Sequence, residues 1–349
     1  MDSLHTVKGK EVVIIGLARS GVAVAKLLYQ QGAKIIVNDN KKIEDCPEAE
    51  ELRQLGIPVI CGSHPEDLIH VGLDFVVKNP GIPYRIAPLQ KAMVQNIPIY
   101  TEVEIASWFM KAPVIGITGS NGKTTTTSLI GSILDEAGRS PIVAGNIGVA
   151  LSEVAPKATE DQWVVAELSS FQLAGTHYFH PKIALLLNLF PAHLDFHGTI
   201  EDYEKSKAKI FANQLQSDYA ILNADNENSL KWLSTIHSEV MLFSRLKRVD
   251  YGVYVDQGTV WYNDKCGLTM SIMEANDIKL LGQHNLENVL AAICTAIVCE
   301  VDTTTIARAV STFEGVEHRL EYVRTKEGVL YYNDSKATNP VASIVSIES

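Results

Sequence analysis

Short apolar runs alternate with amphipathic segments along most of the chain. The runs are rich in Val, Ile and Leu, and helical patterns separate them, which is typical of parallel strands buried on both faces. Seven such runs stand at residues 12–15, 34–37, 75–77, 114–117, 163–166, 183–187 and 219–222. The pattern therefore predicts an α/β protein with doubly wound parallel sheets.

Two of these sheets start separately, near residues 11 and 113, so we expect a domain boundary near residue 110. Residues 1–110 are predicted to form a Rossmann-like domain and residues 111–315 a central phosphate-loop domain. From about residue 251 to 272, short alternating strands with turn signals predict a small antiparallel appendage to the central domain.

The C-terminal pattern indicates the start of a third domain. A strand-like run at 329–332 is followed by a turn at 333–336, and Pro340 suits the first position of a new helix. We expect residues 316–349 to begin a third Rossmann-like domain, and we expect the chain to stop before that domain is complete.

Composition excludes several classes of protein. Hydrophobic residues make up 46% of the 349 residues and charged residues 20%, which is typical of a globular protein. The net charge of −11 disfavours a nucleic-acid partner. Five cysteines without a Cys-x-x-Cys pair predict reduced thiols, and the N-terminus has no apolar signal region. No apolar run is long enough to span a membrane, so we expect a cytoplasmic protein.

The most informative segment is 116–127, which reads Gly-Ile-Thr-Gly-Ser-Asn-Gly-Lys-Thr-Thr-Thr-Thr. It joins an apolar strand to a predicted helix, and the backbone N–H groups of such a loop can surround a phosphate. Lys123 would reach the outer phosphates of a nucleoside triphosphate, and the hydroxyl of Thr124 would bind Mg²⁺. Ile117 stands where the strict spacing has glycine, so a turn that binds nothing is the alternative.

The N-terminal sheet carries a weaker nucleotide signal. Residues 16–21 resemble a dinucleotide fingerprint, but Ala18 replaces its second glycine, and Asp39 ends the next strand. A second turn, residues 79–81, follows the strand at 75–77. Both turns are expected at the carboxyl ends of parallel strands, the edge at which open sheets bind ligands. A plain tight turn explains the first motif about as well.

Other polar groups follow strands of the central domain or begin its helices. Glu167 suits a Mg²⁺ ligand or a solvated strand end. The alternating spacing of His193, Asp195 and His197 would place all three on one side, as a metal cluster or as ordinary loop residues. Lys207 lies on a basic helix face, and residues 285 and 288 are asparagines on one face of a helix start.

Four motifs, taken in order, resemble those of the Mur ligases. They are Gly-Ser-Asn-Gly-Lys-Thr, Glu-Leu-Ser-Ser-Phe-Gln, Gly-Gln-His-Asn-Leu-Glu-Asn and Asp-Ser-Lys-Ala-Thr-Asn-Pro. The last motif and the opening Gly-Leu-Ala-Arg-Ser-Gly are similar to the branch that adds D-glutamate. The resemblance covers all 349 residues and implies ATP-dependent amide formation. ATP would phosphorylate the carboxylate of UDP-N-acetylmuramoyl-L-alanine to an acyl phosphate, which the amine of D-glutamate would attack.

The resemblance also implies a set of ATP and catalytic residues. The phosphates would be held by Gly119, Ser120, Asn121, Gly122, Lys123, Thr124 and Thr125. The domain junction would contribute Asn285, Asn288, Arg319, Asp334 and Lys336. The catalytic residues would be Lys123, Lys207, His193 and Lys336.

Metal and substrate residues follow from the same resemblance. Thr124 and Glu167 would ligate one Mg²⁺, and His193 a second. Lys207, four residues after Tyr203, would carry a carbamate that turns it into an anionic Mg²⁺ ligand. The UDP-substrate would contact Leu17, Arg19, Ser20, Asp39, Gly81 and Asn146, and D-glutamate would contact Thr338. The sequence departs from the family pattern at Phe190-Pro191-Ala192, so the shape of the loop before His193 stays open.

Several alternatives remain at this point. Another Mur ligase step, or the related folylpolyglutamate synthase, shares the ATP motifs, although the N-terminal sheet argues against the folate enzyme. A nicotinamide-dependent oxidoreductase would explain residues 16–21 but not 116–127. A non-catalytic nucleotide-binding protein is a third candidate. Under the ligase hypothesis we expect a monomer with no nucleic-acid or membrane partner, and weak or absent activity if the third domain is incomplete.

Overall fold

The computed structural model describes residues 6–337 and 340–347. The described residues form three sheets. The first sheet is entirely parallel and has the strand order β3-β2-β1-β4-β5. Its strands are β1 (Glu11–Ile15), β2 (Lys34–Asp39), β3 (Val59–Cys61), β4 (Phe75–Lys78) and β5 (Ile99–Thr101). Its helices are α1 (Arg19–Gln30), α2 (Glu48–Gln54), α3 (Ala87–Val94) and α4 (Glu102–Ser107).

The strand order of the first sheet reverses at β1, which pairs with β2 on one side and β4 on the other. The loops that follow β1 and β4 therefore flank the crevice where open sheets bind ligands. Gly21 lets α1 begin close to the first of these loops, because a Cβ there would lie 2.0 Å from the carbonyl oxygen of Gly16. The fold thus has both turns at the carboxyl ends of parallel strands, as the sequence predicted.

The second sheet has nine strands in the order β14-β13-β12-β11-β10-β9-β6-β8-β7. These are β6 (Val114–Thr118), β7 (Ile142–Gly145), β8 (Val164–Glu167), β9 (Ile183–Leu186), β10 (Tyr219–Asn223), β11 (Glu239–Ser244), β12 (Gly252–Asp256), β13 (Thr259–Asn263) and β14 (Thr269–Glu274). β13 and β14 run antiparallel to their neighbours, whereas the other pairings are parallel. The predicted antiparallel appendage therefore extends one edge of the central sheet.

Helices cover both faces of the central sheet. They are α5 (Lys123–Glu136), α6 (Leu151–Val154), α7 (Ser170–Ala174), α8 (Leu194–His197), α9 (Ile200–Ala208), α10 (Glu227–Leu230), α11 (Gln283–Val298) and α12 (Thr303–Thr312). The buried faces of α5, α11 and α12 form one apolar core with β6, β9 and β10. A second core, on the opposite face, contains Leu168, Tyr203 and Phe211. Two packed layers of side chains thus hold β6 rigidly in the middle of the sheet.

The linking helix α4 joins the first sheet to the central one through two buried carboxylates. Glu104 accepts hydrogen bonds from the backbone N–H groups of residues 177–179 and from Nε1 of Trp108, at 2.9–3.0 Å. Glu102 accepts one from the N–H of Ser152, and burial raises the pKa of Glu102 to about 7. These bonds fix the orientation of the two sheets.

The C-terminal segment forms an exposed antiparallel hairpin of β15 (Glu321–Lys326) and β16 (Val329–Asn333), followed by α13 (Pro340–Ile347). The predicted turn after β16 and the predicted helix start at Pro340 are both present. Within the described ranges, no helix is long and apolar enough to cross a membrane. The five cysteines form no disulfide among these residues.

Candidate active site

The glycine-rich loop lies between β6 and α5, at the carboxyl edge of the central sheet. Gly122 adopts a left-handed conformation with φ of 85° and immediately precedes α5. A Cβ at Gly122 would lie only 2.1 Å from Oδ1 of Asn288, so glycine is required there. The backbone of Asn121 is held on the other side, where its N–H donates to Oδ1 of Asn188 at 2.9 Å. The loop is therefore clamped between α11 and the end of β9.

Lys123 folds back over its own loop. Its Nζ donates to the carbonyl oxygens of Gly119 at 2.8 Å and Ser120 at 3.1 Å. Burial lowers the pKa of Lys123, the nearby Arg319 lowers it further, and Glu167 opposes the shift. The amine thus lies inside the curve of the loop, where an incoming phosphate oxygen can replace a carbonyl oxygen as its partner.

A chain of polar contacts links the start of α5 to the end of β8. Oγ1 of Thr124 donates to Oε2 of Glu167 at 2.8 Å, and Nδ2 of Asn146 donates to Oε1 of the same carboxylate at 2.8 Å. Nη2 of Arg319 donates to Oγ1 of Thr124 at 3.2 Å. Three predicted site residues that are far apart in sequence are therefore linked to Glu167, two of them directly and Arg319 through Thr124.

Lys207 is almost completely buried beside the loop. Its Nζ donates to the carbonyl oxygen of Gly119 at 2.8 Å and to Oγ1 of Thr118 at 3.3 Å, and it lies 5.0 Å from the ring centroid of Tyr203. Burial is the main reason that the pKa of Lys207 lies well below its usual range, and Lys123 adds to the shift. A lysine in this setting favours the neutral amine, the form that can react as a nucleophile.

His193 faces the same region, but the prediction for its neighbours is wrong. Residues 194–197 form the short helix α8, so His193, Asp195 and His197 do not alternate along an extended strand. His197 contacts Oγ of Ser170 at 2.9 Å instead. No group of three His, Cys, Asp or Glu side chains among the described residues could hold a metal.

His193 itself has a left-handed backbone, with φ of 54°, and caps the N-terminus of α8. Its ring lies 6.2 Å from that of Tyr203, centroid to centroid. Partial burial, together with Lys207 and Lys123, lowers the pKa of His193. The imidazole is therefore neutral at pH 7, the state in which histidine can ligate a metal.

The first sheet presents a second polar edge. The N–H of Leu17 donates to Oδ2 of Asp39 at 2.8 Å, and Oγ of Ser20 donates to Oδ1 of Asn79 at 2.5 Å. Arg19 is exposed and forms an ion pair of 3.7 Å with Glu153 of α6. The loops after β1, β2 and β4 are thus tied together around the crevice, and the exposed Gly81 belongs to the third of them.

The junction with the C-terminal segment carries the remaining predicted ATP residues. Nδ2 of Asn288 donates to Oδ1 of Asn285 at 3.1 Å, and Oδ1 of Asp334 accepts from the N–H of Leu320 at 3.1 Å. Lys336 is exposed, and its backbone N–H donates to the carbonyl of His318. The structure gives no contact, among the residues it describes, between Lys336 and the glycine-rich loop. Thr338 lies outside the described residues.

Two buried nitrogen atoms at this junction lack a partner within the described part of the chain, Nε of Arg319 and Nδ1 of His284. Buried polar atoms are normally hydrogen-bonded, so an unpartnered pair beside the phosphate loop favours a polar ligand there. Sequence reasoning placed His284 in a motif but gave it no role. It also missed the roles of Asn188 and Asn79, whose only signal was their position just after a strand.

The fold and site define an α/β phosphate-loop enzyme with a separate Rossmann-like sheet. Residues 117–296 match the family model of the Mur ligase middle domain, and residues 10–101 match that of the MurD-like N-terminal domain of Mur ligases. The chain belongs to the Mur ligases, which are ATP-dependent amide-bond ligases.

Relatives and solved structures agree with this family. The UDP-N-acetylmuramoylalanine–D-glutamate ligase of Geobacillus sp. (strain WCH70) is 51% identical over 334 residues, which are 96% of this chain and 73% of the relative. The ligase of the same name from Shouchella clausii is 45% identical over 98% of this chain and 75% of its own length.

Two solved structures share the fold at low identity. A murein peptide ligase of Psychrobacter arcticus has a TM-score of 0.59 at 19% identity, covering 97% of this chain and 75% of that one. The UDP-N-acetylmuramate–alanine ligase of Thermotoga maritima has a TM-score of 0.57 at 21% identity, covering 97% and 76%. These similarities support the α/β architecture described above.

Proposed function

We propose that this protein adds D-glutamate to UDP-N-acetylmuramoyl-L-alanine in peptidoglycan precursor synthesis, with ATP as the energy source. Two lines support the reaction: relatives at 43–51% identity carry the name of that ligase, and the described site has two separate polar edges. The observation that carries the proposal is the cluster around Glu167, which includes Lys123, Thr124 and the buried Lys207. Such a cluster suits phosphoryl transfer between anions.

The reaction needs the substrate carboxylate to attack the terminal phosphate of ATP, although both are negatively charged. Lys123 would hold the transferring phosphoryl group, and the N–H groups of residues 119–125 would hold the remaining phosphates. The P–O bond between the β- and γ-phosphates breaks in this step, ADP leaves, and the acyl phosphate that forms is a good electrophile. The amine of D-glutamate then attacks its carbonyl carbon, the C–O bond to phosphate breaks, and the amine loses a proton.

The residues present fit Mg²⁺, a hard cation that prefers oxygen ligands. Thr124 and Glu167 already place two oxygens 2.8 Å apart, and the neutral His193 offers a further ligand nearby. We propose that Thr124 and Glu167 hold one Mg²⁺ and that His193 and Lys207 hold a second. Bound Mg²⁺ would neutralise charge on the phosphates and on the acyl phosphate.

Lys207 would become a ligand only after a change in charge. We propose that its neutral amine attacks CO₂, forms an N–C bond and releases one proton, which leaves an anionic carbamate. The burial of Lys207 and the nearby Lys123 support the neutral amine as the resting form, because both lower the pKa of Lys207.

The other edge would bind the UDP-substrate. We assign the uridine end to the crevice formed by Leu17, Arg19, Ser20, Asp39 and Gly81, and the sugar or diphosphate to Asn146. Asn146 contacts Glu167, so it lies beside the phosphate edge. We treat residues 1–110, 111–315 and 316–349 as three functional units, in a monomeric cytoplasmic enzyme.

Calorimetric titration separates this function from its main rival. We expect UDP-N-acetylmuramoyl-L-alanine to bind to the protein and NADH not to bind. Binding of NADH without binding of the UDP-substrate would favour the oxidoreductase and overturn the proposal. Lys123→Ala should leave UDP-substrate affinity unchanged and abolish formation of the acyl phosphate, a step that a purely regulatory nucleotide-binding protein would not carry out.

Complete turnover is a separate prediction. We expect the 349-residue chain to have weakened or no ligase activity, since the exposed Lys336 makes no described contact with the phosphate loop. The measurement is phosphate release in the presence of ATP, UDP-N-acetylmuramoyl-L-alanine and D-glutamate. Release that depends on all three, at the rate of the longer relatives, would overturn this expectation.

A further inference from the structure

We propose that Lys78 is a positioning residue in the first sheet. It would hold the turn at residues 79–81, called here the substrate turn, against α8, the helix that begins beside His193. This inference rests on the proposed function, because Lys78 would connect the edge that binds the UDP-substrate to the edge that binds the phosphates. Lys78 is the last residue of β4, and its side chain is completely buried.

The amine of Lys78 has three close neighbours, one carbonyl oxygen and two aromatic rings. Nζ donates to the carbonyl oxygen of Pro80 at 2.9 Å, lies 4.8 Å from the ring centroid of Tyr84 and lies 5.4 Å from that of Phe196. Aromatic rings attract an ammonium group through their negatively charged faces, and more strongly where water is excluded. The lysine therefore sits between one carbonyl and two rings.

These neighbours belong to different domains. Pro80 and Tyr84 follow β4 in the first domain, whereas Phe196 lies on α8 of the central domain. The ring of Phe196 packs edge-on against Phe171 at 4.6 Å, and Phe171 packs against His193 at 5.0 Å. A continuous series of side-chain contacts therefore runs from Lys78 to His193.

The opposite end of the connection is the substrate turn. Asn79 follows Lys78 directly, and its Oδ1 accepts the hydrogen bond from Ser20 in the loop after β1. Nη1 of Arg85 makes a second, weaker link from this turn region to α8, to the carbonyl oxygen of Asp195 at 3.5 Å. A ligand seated on the turn would therefore restrain α8, and small displacements of reacting groups are costly in catalysis.

An ordinary core role explains the site poorly. No carboxylate in the described ranges forms an ion pair with Lys78, and burial lowers the pKa of its amine to about 7. A buried amine without an anionic partner is costly, and an apolar side chain of similar length would fill the same space at lower cost. The contacts of the Lys78 amine with one carbonyl oxygen and two aromatic rings are a better explanation for a lysine at this position.

Hydrogen–deuterium exchange tests the link without relying on turnover. The amides of Phe196, His197 and Gly198 are hydrogen-bonded to the carbonyls of His193 and Leu194, so their exchange reports the opening of α8. Lys78→Met should raise their exchange about tenfold in the free protein, as expected from losing one desolvated cation–ring contact. The matched control is Lys91→Met, which changes an exposed lysine of the same domain and should leave α8 unchanged.

The reciprocal variant guards against simple misfolding. Phe196→Leu removes one ring from the α8 side and should raise the exchange of the Ile82 amide, which bonds to the carbonyl of Asn79. Unchanged exchange at α8 in Lys78→Met, or at Ile82 in Phe196→Leu, would overturn the inference. Uniformly faster exchange throughout the first sheet would also overturn it, because that result indicates only a structural role.

A ligand arm separates failure of this inference from failure of the proposed function. Uridine diphosphate should slow exchange at α8 in the unmodified protein, and this slowing should disappear in Lys78→Met while affinity changes less than about threefold. Equal slowing in both proteins would overturn the inference alone. If uridine diphosphate does not bind to the unmodified protein, the proposed function fails. The contacts from Lys78 to His193 would then no longer connect two binding sites.

Discussion

Polar groups are arranged differently at the two sheet edges that are formed by the carboxyl ends of the strands. At the first sheet, polar groups satisfy one another: Asp39 accepts from Leu17, and Asn79 accepts from Ser20. At the central sheet, the basic side chains Lys123, Lys207 and Arg319 lie near a single carboxylate, Glu167, and burial lowers the pKa of both lysines. The first edge is thus a preformed cradle whose polar groups are already paired, whereas the second has more basic side chains than carboxylates, which suits an anionic ligand.

The comparison predicts the largest loss at Lys207. Lys207→Ala should reduce the rate of acyl-phosphate formation by about 10²–10³-fold, because it removes a charged group at the reacting centre. Added bicarbonate should not restore the rate, since no amine remains to react with CO₂. The unmodified protein, equilibrated with ¹³C-bicarbonate, should show a carbamate signal by NMR that Lys207→Ala lacks. Retained activity in Lys207→Ala would remove the carbamate hypothesis.

Gly122 tests whether the central loop must close on α11. Gly122→Ala should weaken ATP binding by roughly 100-fold, because the new Cβ meets Asn288 in a strained left-handed backbone. Gly138→Ala is the matched control: it has a similar positive φ of 70° at the other end of α5, but no atom lies within 4 Å of its Cβ. Equal losses in both variants would show that backbone strain, not the contact with Asn288, decides the result.

Glu102 lies on α4, the helix that links the two sheets, and it should make the stability of the protein depend on pH. Its folded-state pKa of about 7 lies above the ordinary value of 4.5, so the folded protein favours the protonated form. Stability from this group is present below about pH 4.5 and is lost as pH rises through 7. The total loss is about 3 kcal/mol at most.

Glu102→Gln should remove this pH dependence and make the protein more stable than the unmodified chain at pH 8. Chemical denaturation at pH 5 and pH 8 measures the difference. Parallel stability curves for the two proteins would show that Glu102 does not titrate as proposed.

The smallest effect is expected at the preformed cradle. Asp39→Ala removes the acceptor for the N–H groups of Leu17 and Lys41 and should weaken UDP-substrate binding about tenfold. ATP affinity should not change, and Asp45→Ala, an exposed aspartate of the same domain, should affect neither ligand. A loss of ATP affinity in Asp39→Ala would mean that the two edges are not separate sites.

The fold was predicted well for most of the continuous apolar runs. All seven predicted strands are present, but β3, β5, β7, β11 and β15 were missed. The interior strand β11 is paired on both sides, and its apolar run was overlooked. The edge strands β3, β5 and β7 each follow a proline, have few residues and are paired on one side only. Their strand geometry comes from pairing with a neighbour rather than from their own hydrophobic pattern, so periodicity alone is insufficient.

Site residues were likewise predicted where the signal is contiguous in sequence and missed where it depends on contacts with distant residues. The strand, loop and helix around Lys123 are contiguous in sequence, so their spacing predicted the phosphate loop. Asn188 and Lys78 act through contacts with residues about 70 and 120 positions away, and a single sequence gives no spacing signal for such pairs. The alternating pattern at 193–197 misled because His193 starts a helix after a left-handed turn.

Trapping the acyl phosphate would distinguish phosphoryl transfer to the UDP-substrate from binding of the two nucleotides alone. The protein is incubated with ATP, Mg²⁺, UDP-N-acetylmuramoyl-L-alanine and hydroxylamine, whose nitrogen replaces the amine of D-glutamate and gives a stable hydroxamate with release of phosphate. We predict a UDP-linked hydroxamate by mass spectrometry, dependent on ATP and absent in Lys123→Ala. ATP and the UDP-substrate binding together without any hydroxamate would contradict the account.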